Sequence, residues 1–315
     1  MNPFSAVYGA AVGARNFLYE HGVVRVRKLS TPVISVGSIS AGGAGKTPFV
    51  IMLGELLKQR GIAFDVLSRG YGRKSHGTLV VDPNGSPHDF GDEPILTARR
   101  LGCPAVVGES RHEAGQLAEQ KFSVQLHILD DGFQHRSLAR DFDIALVTAK
   151  DVTDQLLPAG RLREPLRSLL RADAVVLFGE VDRNALPSGI KNAWQVQRTL
   201  LVSDISPSNP IVFCGIARPQ DFLEQIKAKG IVPAVFKAFR DHHAYSANDV
   251  RELIALRDRN HAGGFITTEK DAVNLGPILS QLGQVAIAKV SMELTQPADA
   301  LDTMLALIGE RSQEA

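Results

Sequence analysis

Cysteine is scarce: only Cys103 and Cys214 occur in 315 residues, far apart and each within an apolar stretch. That excludes a disulfide framework and suits buried thiols in a reducing compartment, so a cytosolic chain is expected. An excess of either charge is lacking too. Lys and Arg total 35 against 34 Asp and Glu, so no overall field points to nucleic acid as a partner, and any basic patch must be local. No stretch reaches the roughly 18 consecutive apolar residues of a membrane span, and the start has neither the basic nor the apolar segment of a secretory signal. The chain is therefore not expected to thread a bilayer. Repeats and low-complexity segments are missing as well, while the length suffices for two domains, or one large one, with a substantial core.

What is present is concentrated in residues 33–50. Val33 to Ser38 reads as a buried strand, Ser40-Ala41-Gly42-Gly43-Ala44-Gly45 as a glycine-rich loop, and Lys46-Thr47 as the first turn of a helix. Without side chains at Gly42, Gly43 and Gly45, backbone N–H groups can close on phosphate oxygens at a helix N-terminus whose dipole already favours an anion. Lys46 would then reach the β and γ phosphates and the Thr47 hydroxyl would hold Mg2+, as in a P-loop. One departure is Ser40, where that pattern has glycine. A glycine-rich turn that merely ends a strand is the plainer alternative; the apolar run before it and the helical pattern after it favour a nucleotide site.

Further along, a helix from Lys46 to Gln59 and a strand from Ala63 to Leu67 make a βαβ opening. Ser68-Arg69-Gly70-Tyr71-Gly72-Arg73 follows at a strand end, where ligands of α/β sheets bind. Arg69 and Arg73 are phosphate-binding candidates there, unless the segment is only a flexible basic loop. Gly91-Asp92-Glu93-Pro94 precedes a helix expected near Ile95, so Asp92 can cap that helix or face an acceptor hydroxyl as a general base, and the roles do not exclude each other. The apolar strand Gln125 to Leu129 ends in Asp130-Asp131, acids placed to meet the metal beside the hydroxyl after the P-loop lysine. In the loop Leu157 to Pro165, Arg163 can neutralise phosphoryl charge and Glu164 can reach the metal; a surface loop of local ion pairs is the alternative.

Beyond the polar stretch 182–191 the α/β pattern restarts. Trp194 to Val202 and Gln284 to Glu293 read as a two-stranded ribbon going out and coming back, and Thr268 to Asp271 as a polar turn. The expected fold is α/β, a P-loop NTPase-type mostly parallel sheet flanked by helices, with a second, smaller α/β domain joined by a two-stranded linker. The expected divisions are 1–190, 191–295 and a C-terminal helix in 296–315 packing back on the first domain. Asp241-His242-His243 has no partner cluster of Cys or His for zinc, but His242 could tune a catalytic carboxylate if the second domain closes over the nucleotide. At the start, Phe4, Val7, Tyr8, Ala11, Val12 and Leu18 recur at helical spacing, with Arg25, Arg27 and Lys28 behind them. Such a helix either packs on its neighbour or lies in a membrane interface.

Taken together, the segments Ser40–Pro48, Ser68–Arg73, Gly91–Pro94, Asp130–His135, Leu157–Pro165, Phe213–Pro219, Asp241-His242 and Thr267–Asp271 resemble, in order and over nearly the whole chain, the tetraacyldisaccharide 4'-kinase family. Ser40 is ordinary in that family; Ala44 replaces a hydroxyl residue more usual there, a swap a backbone cradle tolerates. The resemblance implies transfer of the γ-phosphate of ATP, with Mg2+, to the 4'-hydroxyl of the lipid A disaccharide precursor. It implies Asp92 as the catalytic carboxylate and His242 as its support, with Lys46 and Arg163 on the phosphates. Thr47, Asp130, Asp131 and Glu164 would serve the metal, and Arg69, Arg73, Arg111 and His135 the acceptor substrate. The N-terminal helix becomes a contact to the inner-membrane surface, on its cytoplasmic face. The rival is a membrane-associated regulatory P-loop ATPase or binding module. A partitioning-type ATPase would need a lysine where this chain has Ala41, and a GTPase a guanine motif that is not found.

Overall fold

Short apolar runs set the architecture, because strands covered on both faces are nearly continuous in hydrophobic character. In a computed structural model of the chain, which describes residues 3–203 and 206–313, these runs form β1 (Val33–Ser38), β2 (Phe64–Ser68), β3 (Leu79–Val80), β4 (Ala105–Val107), β5 (Leu126–Asp130), β6 (Phe142–Thr148) and β7 (Ala174–Phe178). The later strands are β8 (Ala193–Leu201), β9 (Ile211–Cys214), β10 (Val235–Ala238), β11 (Phe265–Thr268) and β12 (Val285–Leu294). Between them lie α1 (Pro3–Glu20), α2 (Lys46–Gln59), α3 (Pro87–Phe90), α4 (Asp92–Leu101), α5 (Arg111–Lys121), α6 (Ala149–Val152), α7 (Pro219–Ala228), α8 (Ala247–Arg259), α9 (Glu269–Leu275) and α10 (Pro297–Gln313).

The strands make one 12-stranded sheet in the order β10-β9-β11-β12-β8-β7-β6-β1-β5-β2-β4-β3. The pairs are parallel except β12 with β8 and β3 with β4. β1 is central and buried along its whole length, with β5 on one side and β6 on the other. Strand order reverses beside it, which opens the crevice where α/β proteins hold ligands. Phe49, Leu53 and Ile95, from α2 and α4, cover one face of this region together with Met304 of α10. Around β9 and β11 separate apolar clusters form, one with Phe222 and Ile226 of α7, the other with Val250 and Leu253 of α8.

Three local differences from the sequence expectations have clear causes. β8 pairs in parallel with β7, Phe178 opposite Val196, so the sheet runs unbroken past the polar stretch 182–191, which serves as the crossover a parallel pair requires. α4 starts at Asp92 rather than near Ile95, since Gly91 takes φ 89° and turns the chain into the helix three residues sooner. The polar Thr268 to Asp271 segment is no free turn: the Thr268 hydroxyl accepts from the Asp271 N–H and opens α9. The outermost residues of the expected first and last divisions, 1–2 and 314–315, lie outside the described residues.

α1 is an inverted case. Its anchoring contacts are polar: Ser5 Oγ donates to the Leu156 carbonyl at 2.9 Å, the Tyr8 hydroxyl to the Arg163 carbonyl at 3.1 Å, and Asn16 Nδ2 to Glu164 Oε2 at 3.0 Å. Its large apolar side chains other than the buried Val12 face mostly outward, with Phe4 and Val7 each 71% exposed. No helix among the described residues is long and apolar enough to cross a membrane.

Candidate active site

The loop after β1 turns on three glycines in the left-handed region, Gly42 (φ 67°), Gly43 (φ 68°) and Gly45 (φ 77°), conformations costly for any residue with a Cβ. Gly45 immediately precedes α2 and offers no side-chain cap, so the first N–H groups of that helix remain available to an anion. Ser38 Oγ donates to the Ser40 carbonyl at 2.8 Å and pins the loop from behind. Opposite, the turn after β5 crosses directly over β1: a Cβ on Gly37 would lie 2.6 Å from the Phe133 nitrogen. This contact holds Asp130 and Asp131 at the edge of the cradle.

Those two acids have different environments. Asp131, at φ 53°, sits between cations, with Lys46 Nζ at 3.4 Å and Arg163 Nη1 at 3.1 Å. Burial pushes its carboxyl up, but the Lys46 and Arg163 charges outweigh burial and hold it below the usual carboxylate range. Asp130 is 3% exposed and its Oδ1 has no hydrogen-bond partner among the described residues. Burial first, then the charges of Glu93 and Asp131, push it up to about 7. A buried, unsatisfied carboxylate oxygen next to a second acid is a set of hard oxygen donors that fits a divalent cation such as Mg2+.

Glu93, whose charge Asp130 feels, begins α4 together with Asp92, and this joins the cradle to a second group of side chains. Asp92 does not cap its helix through a side-chain bond to a later turn; within α4 it accepts from the adjacent Glu93 N–H at 2.8 Å. Its remaining capacity is taken from the other end of the chain. His242 Nδ1 lies 3.1 Å from Asp92 Oδ1 and 3.0 Å from Oδ2, and Asn274 Nδ2 donates to Oδ2 at 2.9 Å. Burial raises the Asp92 carboxyl, yet the His242 hydrogen bond, the Lys270 charge and the Asn274 bond together bring it below its ordinary value. Burial lowers His242, and Asp92 more than reverses that, leaving the imidazole raised. The outcome at neutral pH is an ionised carboxylate, 3% exposed, steered by a histidine.

Lys270 and Asn274 do not appear among the site residues expected from the sequence. They stand one helical turn apart on α9, so both face the same way. Lys270 Nζ is 3.1 Å from His242 Nε2, 3.2 Å from Asp241 Oδ1 and 3.6 Å from Glu93 Oε1. Ligand atoms of Asp92, Glu93 and His242 lie within 4.8 Å of one another; the Lys270 ammonium supplies the positive charge at that cluster. The available signal was Thr-x-x-Asp at 268–271, the start of a capping box, which marks a helix and therefore a shared face for 270 and 274.

The other expected residues divide. Arg111 is buried, donating from Nη1 to the Gly108 carbonyl at 3.0 Å, and burial with the Arg69 charge lowers it to about 10. His135 is lowered to about 4 by burial and by Arg111, Arg140 and Arg69, so it is neutral. Arg73 is tied to Glu109 at 2.8 Å and to the Gly77 carbonyl at 2.6 Å. Glu164, expected to reach the metal, is instead a fully buried clamp. Arg171 donates to it at 2.7 and 2.8 Å, Asn16 at 3.0 Å and Gln134 at 3.1 Å. Both of its oxygens are engaged, and its expected metal role is set aside for that reason.

Against known proteins, the chain matches the family described as Tetraacyldisaccharide-1-P 4'-kinase over residues 1–308. The tetraacyldisaccharide 4'-kinase of Koribacter versatilis is 44% identical, covering 99% of this chain and 99% of its own. That of Aquifex aeolicus is 41% identical over 87% of this chain and 88% of its own. A crystal structure of the "apo" form of LpxK from Aquifex aeolicus in complex with ATP has a TM-score of 0.78 at 35% identity, covering 97% of this chain and 98% of that one.

Proposed function

The chain belongs to the tetraacyldisaccharide-1-P 4'-kinase family, a phosphotransferase acting on a hydroxyl in lipid A biosynthesis, and we propose how its residues divide that work. The donor is ATP, seated on residues 40–47, and the acceptor is the 4'-hydroxyl of a tetraacylated glucosamine disaccharide 1-phosphate. Asp92 takes the hydroxyl proton. Its carboxylate is ionised, dry and aimed by His242, with Lys270 on the far side of the imidazole holding the ring in one orientation. Lys46 and Arg163, paired with Asp131, turn to the phosphate oxygens when nucleotide supplies a stronger anion.

Mg2+, when bound, neutralises charge on the β and γ phosphates, and Thr47, Asp130 and Asp131 are the residues that would hold it. The exposed Arg69, the buried Arg111 and the half-buried, neutral His135 are the residues on which the acceptor substrate would rest. Residues 1–190 and 191–295 act as two lobes, a reading supported by their largely separate cores, with the base on one lobe and its steering residues on the other. The exposed apolar side of α1 seats the protein peripherally on the cytoplasmic face of the inner membrane, where an acylated acceptor resides.

The observation that carries this reading is the meeting of the phosphate cradle with a buried, ionised carboxylate through adjacent residues Asp92 and Glu93. Its test is transfer of labelled phosphate from ATP to the disaccharide lipid in detergent, followed by thin-layer separation. The labelled product is expected with the unsubstituted chain and lost with Lys46→Ala. ATP binding without transfer to that lipid would overturn the acceptor assignment.

A further inference from the structure

The loop between β9 and α7, Gly215 to Pro219, rests on the phosphate cradle from the opposite lobe. A Cβ on Gly43 would lie 2.7 Å from Arg218 Nε and 2.9 Å from its Cδ, and a Cβ on Gly42 would lie 3.5 Å from the Ala217 Cβ. The Arg218 side chain therefore crosses the bare face of Gly43. Its side chain is 16% exposed, and its nearest carboxylate oxygen, Asp221 Oδ2, is 3.9 Å from Nη1. That same aspartate is already bonded to Lys150 at 3.0 and 3.1 Å. Arg218 Nε and Nη2 are buried and have no hydrogen-bond partner among the described residues.

A guanidinium with two buried, unanswered nitrogens is costly unless something binds it. The anion this place is built to receive is the polyphosphate of a nucleotide, and the loop's own residues 40–45 bring no cation, so its positive charge comes from Lys46 and Arg163 on the far side. The arginine is also held in place from its root. Gly215 N–H donates to Asp271 Oδ1 at 2.8 Å, and the Tyr245 hydroxyl donates to the same oxygen at 2.8 Å.

We propose that Arg218 is a further cation of the nucleotide site besides Lys46 and Arg163, binding phosphate oxygens of ATP through Nε and Nη2 across Gly43. This rests on ATP being the donor. Asp271 then acts as a positioning residue, fixing the root of the loop that carries Arg218.

The test is calorimetric titration of ATP and of adenosine into the full chain, as unsubstituted protein, Arg218→Gln, Arg218→Ala and Arg218→Lys, with thermal unfolding of each. Loss of a charged hydrogen bond is expected to weaken ATP binding roughly tenfold to a hundredfold in the neutral variants. Lysine, which keeps the charge but not the planar fork, recovers part of the loss, and adenosine affinity stays unchanged. If alanine disturbs the fold, the near-isosteric glutamine variant gives the reading. ATP affinity within twofold of the unsubstituted chain in a folded neutral variant overturns the inference. So does an equal loss for adenosine, which would place Arg218 on the nucleoside. An unsubstituted chain that binds no ATP overturns the donor reading itself, an outcome distinct from either.

Discussion

Replacing His242 with alanine removes the donor that faces both oxygens of Asp92, at 3.0 and 3.1 Å, while leaving Asn274 and Lys270 in place. A hydrogen bond to a charged group contributes about 1.5–3 kcal/mol, so if the imidazole acts by steering and stabilising the carboxylate, turnover falls roughly tenfold to 150-fold. Asp92→Asn, which removes the proposed proton acceptor, costs more, about 10²–10⁴-fold. Because His242 works through Asp92, the double variant is no slower than Asp92→Asn alone. The pH dependence has a definite sign. Burial drives the Asp92 carboxyl up and His242 is the largest influence holding it down; without the imidazole the carboxylate takes its proton at higher pH. The acid limb of kcat/KM therefore moves upward in His242→Ala. Initial rates of phosphate transfer across acid and neutral pH read both quantities. Losses that multiply in the double variant, or an acid limb that stays in place, would refute the steering role.

The same pair sets a stability profile. His242 is raised, so its contribution is complete below the ordinary histidine range and fades as pH climbs through its elevated value; Asp92 is lowered, so its contribution fades only in strong acid. The gap in Tm between the unsubstituted chain and His242→Ala is thus widest in mildly acidic solution and narrows toward alkaline pH. Glu164→Ala strands the largely buried Arg171 guanidinium and is expected to cost about 3–5 kcal/mol in denaturant unfolding; a change under about 1 kcal/mol would return Glu164 to the surface-pair class. Gly37→Ala places a Cβ 2.6 Å from the Phe133 nitrogen, and overpacking of this kind costs about 1–3 kcal/mol, measurable as a lowered Tm. Val7→Asp with Phe17→Asp charges an apolar surface whose members are 71% and 55% exposed; co-sedimentation with anionic vesicles is expected to fall while ATP binding persists.

Much of the donor half was legible in the chain because its determinants are local. A buried run, three glycines, a lysine and a threonine are contiguous, and an acid pair closes the neighbouring strand. The central parallel strands were legible for the same reason, with Phe142–Thr148 and Ala174–Phe178 bounded as periodicity and turn residues predict. What was not legible depends on residues distant in sequence. Asp92 reads as a cap or a base until His242 and Asn274 arrive beside it, 150 and 182 positions on. Glu164 reads as an acid that could reach the metal or pair in a surface loop until Arg171 folds back and Asn16 comes from α1. Lys270 looked like part of a solvated turn because the helix it opens is only seven residues long, too short for periodicity to reveal. Arg218 reads as a helix-start arginine near Asp221, and only the docking of its loop on Gly43 places it at the cradle.

The polar fastening of α1 sets a distance. Ser5, Tyr8 and Asn16 tie the helix to the Leu156–Glu164 segment, the same segment that presents Arg163 to Asp131. The apolar side that would settle into a leaflet and the arginine proposed for the phosphates are thus tied together by these three hydrogen bonds. A protein seated this way holds its phosphate-transfer centre at a constant height above the bilayer, and an acceptor must rise from the leaflet to that height to be phosphorylated. The length of the sugar headgroup, rather than the mobility of the enzyme, then decides which lipids are within reach.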